Sequence, residues 1–116
     1  MKKIVVTDDD PGIRDIFKMI FETAGYQVQV IANGDDLLNN VYDLPNLFLL
    51  DKQLSGVDGT DICRYLKQQE TTAHIPVIMI SANPQIDKLS AAAGADAYIE
   101  KPFEIKYLLE MVERYI

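Results

Sequence analysis

Apolar residues fall along this chain in two alternating rhythms. Short unbroken runs are separated by longer stretches in which apolar positions recur every three or four residues. Ile4, Val5 and Val6 form a β-branched run between Lys2 and Thr7. Leu47, Phe48, Leu49 and Leu50 form a run with no charge, and Val77 to Ile80 form another that ends at Ser81. Ala97, Tyr98 and Ile99 form a shorter one. Such runs predict strands buried on both faces, as inside a parallel sheet. Val28 and Val30 alternate with Gln27 and Gln29, which predicts a strand with one more polar face, nearer the sheet edge.

The stretches between them carry helical spacing. Pro11 after Asp8, Asp9 and Asp10 is a helix start signal, with Ile13, Phe17, Ile20, Phe21 and Ala24 on one face and Gly25 closing the end. Asn33 is placed to cap a second helix carrying Leu37, Leu38 and Val41. Gly56 and Gly59 loosen the backbone before a third helix that starts near Asp58 and turns Ile62, Cys63 and Leu66 inward, with Tyr65 a further candidate for that face. Asn83 and Pro84 read as the N-cap and first position of a fourth helix with Ile86, Leu89 and Ala91 to Ala93, ended by Gly94. The last helix carries Ile105, Leu108, Leu109, Val112 and Ile116. No linker or repeat interrupts the series. The expected fold is α/β: a (βα)5 doubly wound parallel sheet of five strands with right-handed crossovers, formed by residues 1–116 as one domain.

Composition narrows the classes. The chain has 116 residues, 48% hydrophobic and 25% charged, with a formal net charge of −7. That balance argues against direct binding to nucleic acid or an anionic membrane and fits a cation site or basic partners. No apolar run approaches the roughly 20 residues that span a bilayer, and MKKIVVTDDD lacks a signal-peptide core, so a cytoplasmic protein without membrane insertion is expected. Cys63 is the single cysteine, expected as a buried structural thiol, and His74 is expected on the surface.

The strand ends hold the informative polar residues. The first strand delivers Asp8 and Asp9, the third Asp51, the fourth Ser81 and the fifth Lys101. In a parallel sheet these ends share one edge, so residues far apart in sequence converge, and Asp51 is presented there rather than buried. Asp10 reads as a helix cap. Three neighbouring carboxylates repel one another and are tolerable at neutral pH with a cation among them; hard oxygen ligands suit Mg²⁺. A hydroxyl and an ammonium opposite could hold a phosphoryl group. The arrangement predicts phosphoryl transfer with Asp51 as the acceptor.

IVVTDDDPGIR, LLDKQLSGVDG, VIMISA and GADAYIEKPF resemble, in that order, the signature segments of the response-regulator receiver (CheY-like) domain of two-component signalling. The resemblance covers the whole chain. It implies a flavodoxin-like sheet of order 2-1-3-4-5. It implies that Asp51 is phosphorylated by a histidine kinase or phosphotransfer protein, and that Asp8, Asp9, Asp51 and the backbone carbonyl of Gln53 hold Mg²⁺. Ser81 and Lys101 would contact the phosphoryl group, and Tyr98 would be the switch aromatic that follows Ser81. A cis Lys101–Pro102 bond and an unknown downstream protein target are implied as well. The chain would be a phosphoacceptor that takes part in its own phosphorylation and dephosphorylation, rather than a turnover enzyme.

Three features depart from the family pattern. Ser55 stands where proline is frequent, Lys52 where an apolar residue is usual, and the span from Ser81 to Tyr98 is shorter than is typical. A charge at Lys52 must point out of the sheet or lie beside Asp51. Two other readings compete. A haloacid-dehalogenase-type phosphatase is suggested by DGT in VDGTDI, but Asp58 does not end a strand and Gly56 stands where the nucleophile would be needed. A phosphorylation-independent, receiver-like interaction module would share the fold without the chemistry.

Overall fold

The computed structural model describes residues 1–54 and 56–116; Ser55, one of the three departures noted above, lies outside the described residues. Strands β1 (Lys3–Thr7), β2 (Gln27–Ile31), β3 (Leu47–Asp51), β6 (Val77–Ser81) and β7 (Ala97–Glu100) form one sheet in the order β2-β1-β3-β6-β7. Every neighbouring pair is parallel. Counted among themselves, the five strands follow the expected 2-1-3-4-5. Between β3 and β6 the chain adds a small antiparallel hairpin, β4 (Gln53–Leu54) and β5 (Val57–Asp58), which the apolar pattern does not reveal.

The uniform apolar runs resolve into two faces because successive side chains on a strand point to opposite sides. Val5, Phe48, Leu50, Val77 and Met79 pack on one side against Leu37 of α2 (Gly34–Leu38), Ile62, Cys63 and Leu66 of α3 (Gly59–Gln68) and Ile86 of α4 (Ile86–Ala92). Ile4, Val6, Leu47, Leu49, Ile78 and Ile80 pack on the other against Phe17 and Phe21 of α1 (Pro11–Thr23) and Leu108 and Val112 of α5 (Ile105–Tyr115). Each face would stabilise the fold by about 1.5–3 kcal/mol per fully buried large side chain. The strands are therefore fixed from both sides. Cys63 lies in the first core at 0% exposure, and burial pushes its thiol up to about 11.

The helix ends show where local chemistry decides. Asp10 Oδ1 accepts from the amides of Gly12 (2.8 Å) and Ile13 (3.3 Å), so Asp10 caps α1 as expected. Asn33 caps α2 by accepting from Asp36 N at 3.0 Å. That helix stops before Val41, which is 59% exposed, because Asn40 adopts φ 59°, a left-handed conformation that ends helices. Asn83 does not cap α4. Its Oδ1 accepts from Gln85 N at 2.8 Å, which closes a turn, and the helix starts at Ile86 with Gln85 as an N-cap that makes no side-chain bond. In α5 the inward stripe is Leu108, Met111 and Val112, while Ile105 is 55% exposed. Side chains tilt toward the helix N-terminus, so the first residue of a helix covers surface outside the helix rather than core.

Gly59 is required for close approach, not for looseness. A Cβ there would run into the Asp51 carbonyl and the Lys52 backbone. The Gly59 amide donates to the Lys52 carbonyl at 2.6 Å, which seats the start of α3 directly on the end of β3. Gly59→Ala should therefore destabilise the fold by about 1–3 kcal/mol, as overpacking does. Urea unfolding of the variant checks this, and a midpoint equal to wild type would show that the backbone yields freely.

Candidate functional site

All five parallel strands point their C-terminal ends at one edge, and three of those ends deliver buried polar side chains. Asp8 follows β1 at 2% exposure, Asp51 ends β3 at 7%, and Ser81 ends β6 at 4%. Lys101 follows β7, with a cis bond to Pro102. Together with Asp9 and Gln53 they line a cleft of about 590 Å³. Asp51 is thus less presented than its strand-end position suggests. It forms the floor of the cleft, because the β4–β5 hairpin folds back beside it.

The contacts of Asp51 are asymmetric. Its Oδ1 accepts from Gln53 N at 3.0 Å, and its Oδ2 lies 3.2 Å from the Lys101 ammonium. The same ammonium lies 3.8 Å from Asp8 Oδ2, beyond hydrogen-bond reach. Asp8 Oδ1 accepts from Asp10 N at 2.9 Å, but Asp8 Oδ2 is buried with no hydrogen-bond partner. Burial raises the Asp8 pKa most, and the Asp51 carboxylate adds to it; the Asp10 amide and Lys101 pull the other way, and the net value is about 6. Ser81 Oγ accepts from Asn83 N at 3.0 Å and keeps its proton for another acceptor.

Tyr98 is not in the cleft. It is 41% exposed on β7, in register with Met79, and shares a shallow depression with Glu100, Phe103 and Tyr107. Lys52 turns away from Asp51 and pairs with Asp58 at 3.2 Å. Burial would raise the Asp58 pKa, but hydrogen bonds from Thr60 and the Lys52 ammonium outweigh it and hold the carboxyl below its ordinary value. Arg14 escapes a reading based on strand ends. From within α1 its Nη1 donates to the Asp8 carbonyl at 2.8 Å, which fixes the turn that aims Asp8. A lone basic residue four positions after a capping aspartate is the available signal.

Among the described residues, no three His, Cys, Asp or Glu side chains gather closely enough to hold a metal ion by themselves. Mg²⁺ does not require that, since it keeps several waters and takes one or two carboxylates. The orphaned Asp8 Oδ2 beside a second carboxylate is an oxygen set that fits such an ion.

Residues 4–113 match the family model of the response regulator receiver domain. The chain belongs to this family. The DNA-binding dual master transcriptional regulator RpaA of Synechocystis sp. is 41% identical over 115 residues, 97% of this receiver and 48% of that protein. The receiver spans about half the length of the curated relatives it matches. The beryllofluoride-activated DrrB receiver domain is 32% identical, with a TM-score of 0.86 over 98% of this receiver and 97% of that chain. The receiver domain of the sensor histidine kinase PA1611 from Pseudomonas aeruginosa, 24% identical, has the same fold, with a TM-score of 0.89 over 98% of this receiver and 96% of that chain; that structure holds a magnesium ion in its active site cleft.

The raised Asp8 pKa has a consequence for stability. Between its ordinary value of 3.8 and about 6 the folded receiver binds more protons than the unfolded chain. This contribution to stability is therefore full below the unfolded value and is lost as pH rises through about 6. At pH 7 without Mg²⁺, Asp8→Asn should raise stability by roughly 1–3 kcal/mol, the scale of a shift this size. Melting curves from pH 4 to 8 test it; a variant that melts below wild type at pH 7 would reverse the sign.

Proposed function

We propose that Asp51 accepts a phosphoryl group from the phosphohistidine of a histidine kinase or phosphotransfer protein, and that the surface around Tyr98 responds. One observation carries this reading: the Lys101 ammonium stands 3.2 Å from the Asp51 carboxylate inside a cleft that also holds the orphaned Asp8 oxygen. A carboxylate is a competent nucleophile toward phosphorus when charge on the phosphoryl oxygens is compensated. The Asp51 oxygen forms a new bond to phosphorus as the N–P bond of the donor breaks. The electron pair returns to the imidazole, which takes a proton from water, and Asp51 becomes an acyl phosphate.

The remaining residues divide the work. Lys101 compensates part of the new charge, and Ser81 turns its hydroxyl to a phosphoryl oxygen in a charge-assisted hydrogen bond. Asp8, Asp9, Asp51 and the backbone carbonyl of Gln53 would hold Mg²⁺, which when bound neutralises developing charge on the phosphoryl oxygens. As Ser81 is drawn in, it vacates volume beside β7, and Tyr98 turns inward to fill it. The DrrB receiver domain, 32% identical, has a beryllofluoride-activated state, which supports activation of this receiver by a phosphoryl group.

The same reading makes residues 1–116 a single receiver domain that acts in the cytoplasm, as a phosphoacceptor rather than a turnover enzyme. No described helix is long and apolar enough to cross a membrane. With a net charge of −7 the domain works through protein partners, a kinase or phosphotransfer protein and a downstream target, rather than on DNA directly.

Acetyl phosphate with Mg²⁺ should add one phosphoryl group, labile to hydroxylamine, and Asp51→Asn should abolish it. Equal labelling of the variant in intact-mass spectra would remove Asp51 as the acceptor, and absence of labelling in wild type would leave an interaction module. Switching has its own readout. Beryllofluoride with Mg²⁺ should shift amide NMR signals across residues 83–101 as well as at the cleft. Shifts confined to the neighbours of Asp8, Asp9 and Asp51 would leave the acceptor standing and refute the role of Tyr98.

A further inference from the structure

Lys52 follows the acceptor directly, where its ammonium reaches Asp58 Oδ2 at 3.2 Å with the Lys52 side chain 13% exposed. Between these two residues the chain makes the β4–β5 hairpin, with Gln53 opposite Asp58 and Leu54 opposite Val57. A two-stranded ladder this short does not hold itself in water. Its shape depends on what ties its ends. Leu54 is buried at 7% exposure, and the Gly59 amide bonds the Lys52 carbonyl at 2.6 Å. The Lys52–Asp58 pair closes the same base from the side-chain direction. Asp58 is itself immobilised as the cap of α3, accepting from Thr60 N at 2.9 Å and Thr60 Oγ1 at 2.7 Å. Lys52 therefore ties the end of β3 to the start of α3 across the loop that carries Gln53.

We propose that Lys52 and Asp58 are positioning residues, an ion-pair staple that holds Gln53 against Asp51 and so keeps its carbonyl available to the cation. Gln53 lines the cleft, and its amide already bonds Asp51 Oδ1 at 3.0 Å. Releasing the staple frees the hairpin base, and the carbonyl loses its fixed place. The inference rests on the Mg²⁺ site proposed above and deepens it.

Charge alone makes the opposite prediction, which gives the test its edge. Removing the Lys52 charge makes the region more negative, so simple Coulomb attraction would tighten Mg²⁺ binding. Loss of a staple would weaken it. The double variant Lys52→Met with Asp58→Asn restores the net charge, so Coulomb attraction predicts wild-type affinity and the staple predicts the loss seen in Lys52→Met. Met keeps the apolar stem, and Asn keeps the cap.

Isothermal calorimetry with MgCl₂ at constant ionic strength should be run on wild type, Lys52→Met, Asp58→Asn and the double variant, with melting curves in Mg²⁺-free buffer alongside. Lys52→Met should raise the Mg²⁺ Kd by about threefold to tenfold, the scale of lost outer-shell support or of a part-buried ion pair. The double variant should match it, and Lys52→Arg should retain wild-type affinity. Equal or tighter Mg²⁺ binding by Lys52→Met overturns the staple, while the acceptor site stands. Absence of Mg²⁺ binding by wild type overturns the cation site itself and the staple with it. Lys52→Gln supplies the same comparison if the melting curves show Lys52→Met to be unfolded.

Discussion

Two carboxylates, Asp8 and Asp51, are buried at the mouth of the sheet and share the ammonium of Lys101. Burying charge without full compensation costs several kcal/mol. The chain tolerates this because the strands that carry the carboxylates are clamped by a core on each face. β3 and β6 are buried along their whole length, and the three central strands leave no slack at their C-terminal ends. The parallel ladder sets the spacing of those ends, and the two cores keep it against repulsion. The cleft is therefore strained toward any group that brings positive charge, or that brings oxygens Lys101 can hold.

The route outward from the cleft is short. Ser81 Oγ bonds the Asn83 amide, and Asn83 Oδ1 bonds the Gln85 amide at the start of α4. A ligand oxygen that draws the Ser81 hydroxyl toward itself pulls on the first link of this chain. The N-terminal end of α4 has no side-chain cap to resist. The far end is tied differently: Lys67 pairs with Asp96 at 2.7 Å and also donates to the Ile75 carbonyl at 2.9 Å, while Asp96 accepts from Val77 N at 2.8 Å. Helix α4 is thus tied by an ion pair beyond its exit, and at its entry, the end nearest Ser81, it has no side-chain cap.

Periodicity and strand ends make the five-stranded sheet and the convergence of Asp8, Asp51, Ser81 and Lys101 legible in the sequence. These depend on features that a run of side chains displays directly. Caps were legible where one oxygen faces a free helix end, as at Asp10 and Asn33. They failed at Asn83, whose side chain had a nearer amide two residues on. Spacing alone places Val41 and Ile105 on inward stripes, because it does not reveal a left-handed Asn40 or the tilt of a helix's first residue. The burial of Asp51 and the need for glycine at 59 were illegible for a common reason. Both arise from the hairpin that folds back beside β3, and its two-residue strands are too short to show a period.

That hairpin also explains why a lysine next to Asp51 does not neutralise it. Sequence adjacency would place two ammoniums, Lys52 and Lys101, against Asp51. A cleft with two carboxylates and two ammoniums would be balanced and would hold a divalent cation poorly. Lys52 instead spends its charge on Asp58, away from the cleft, and Asp58 in turn caps α3. The cleft is left with Asp8 and Asp51 against Lys101, a net negative floor that favours a cation and is relieved by one. A lysine that looks hostile to a charged Asp51 in the sequence is thus compatible with it in the fold, because its ammonium is held by Asp58.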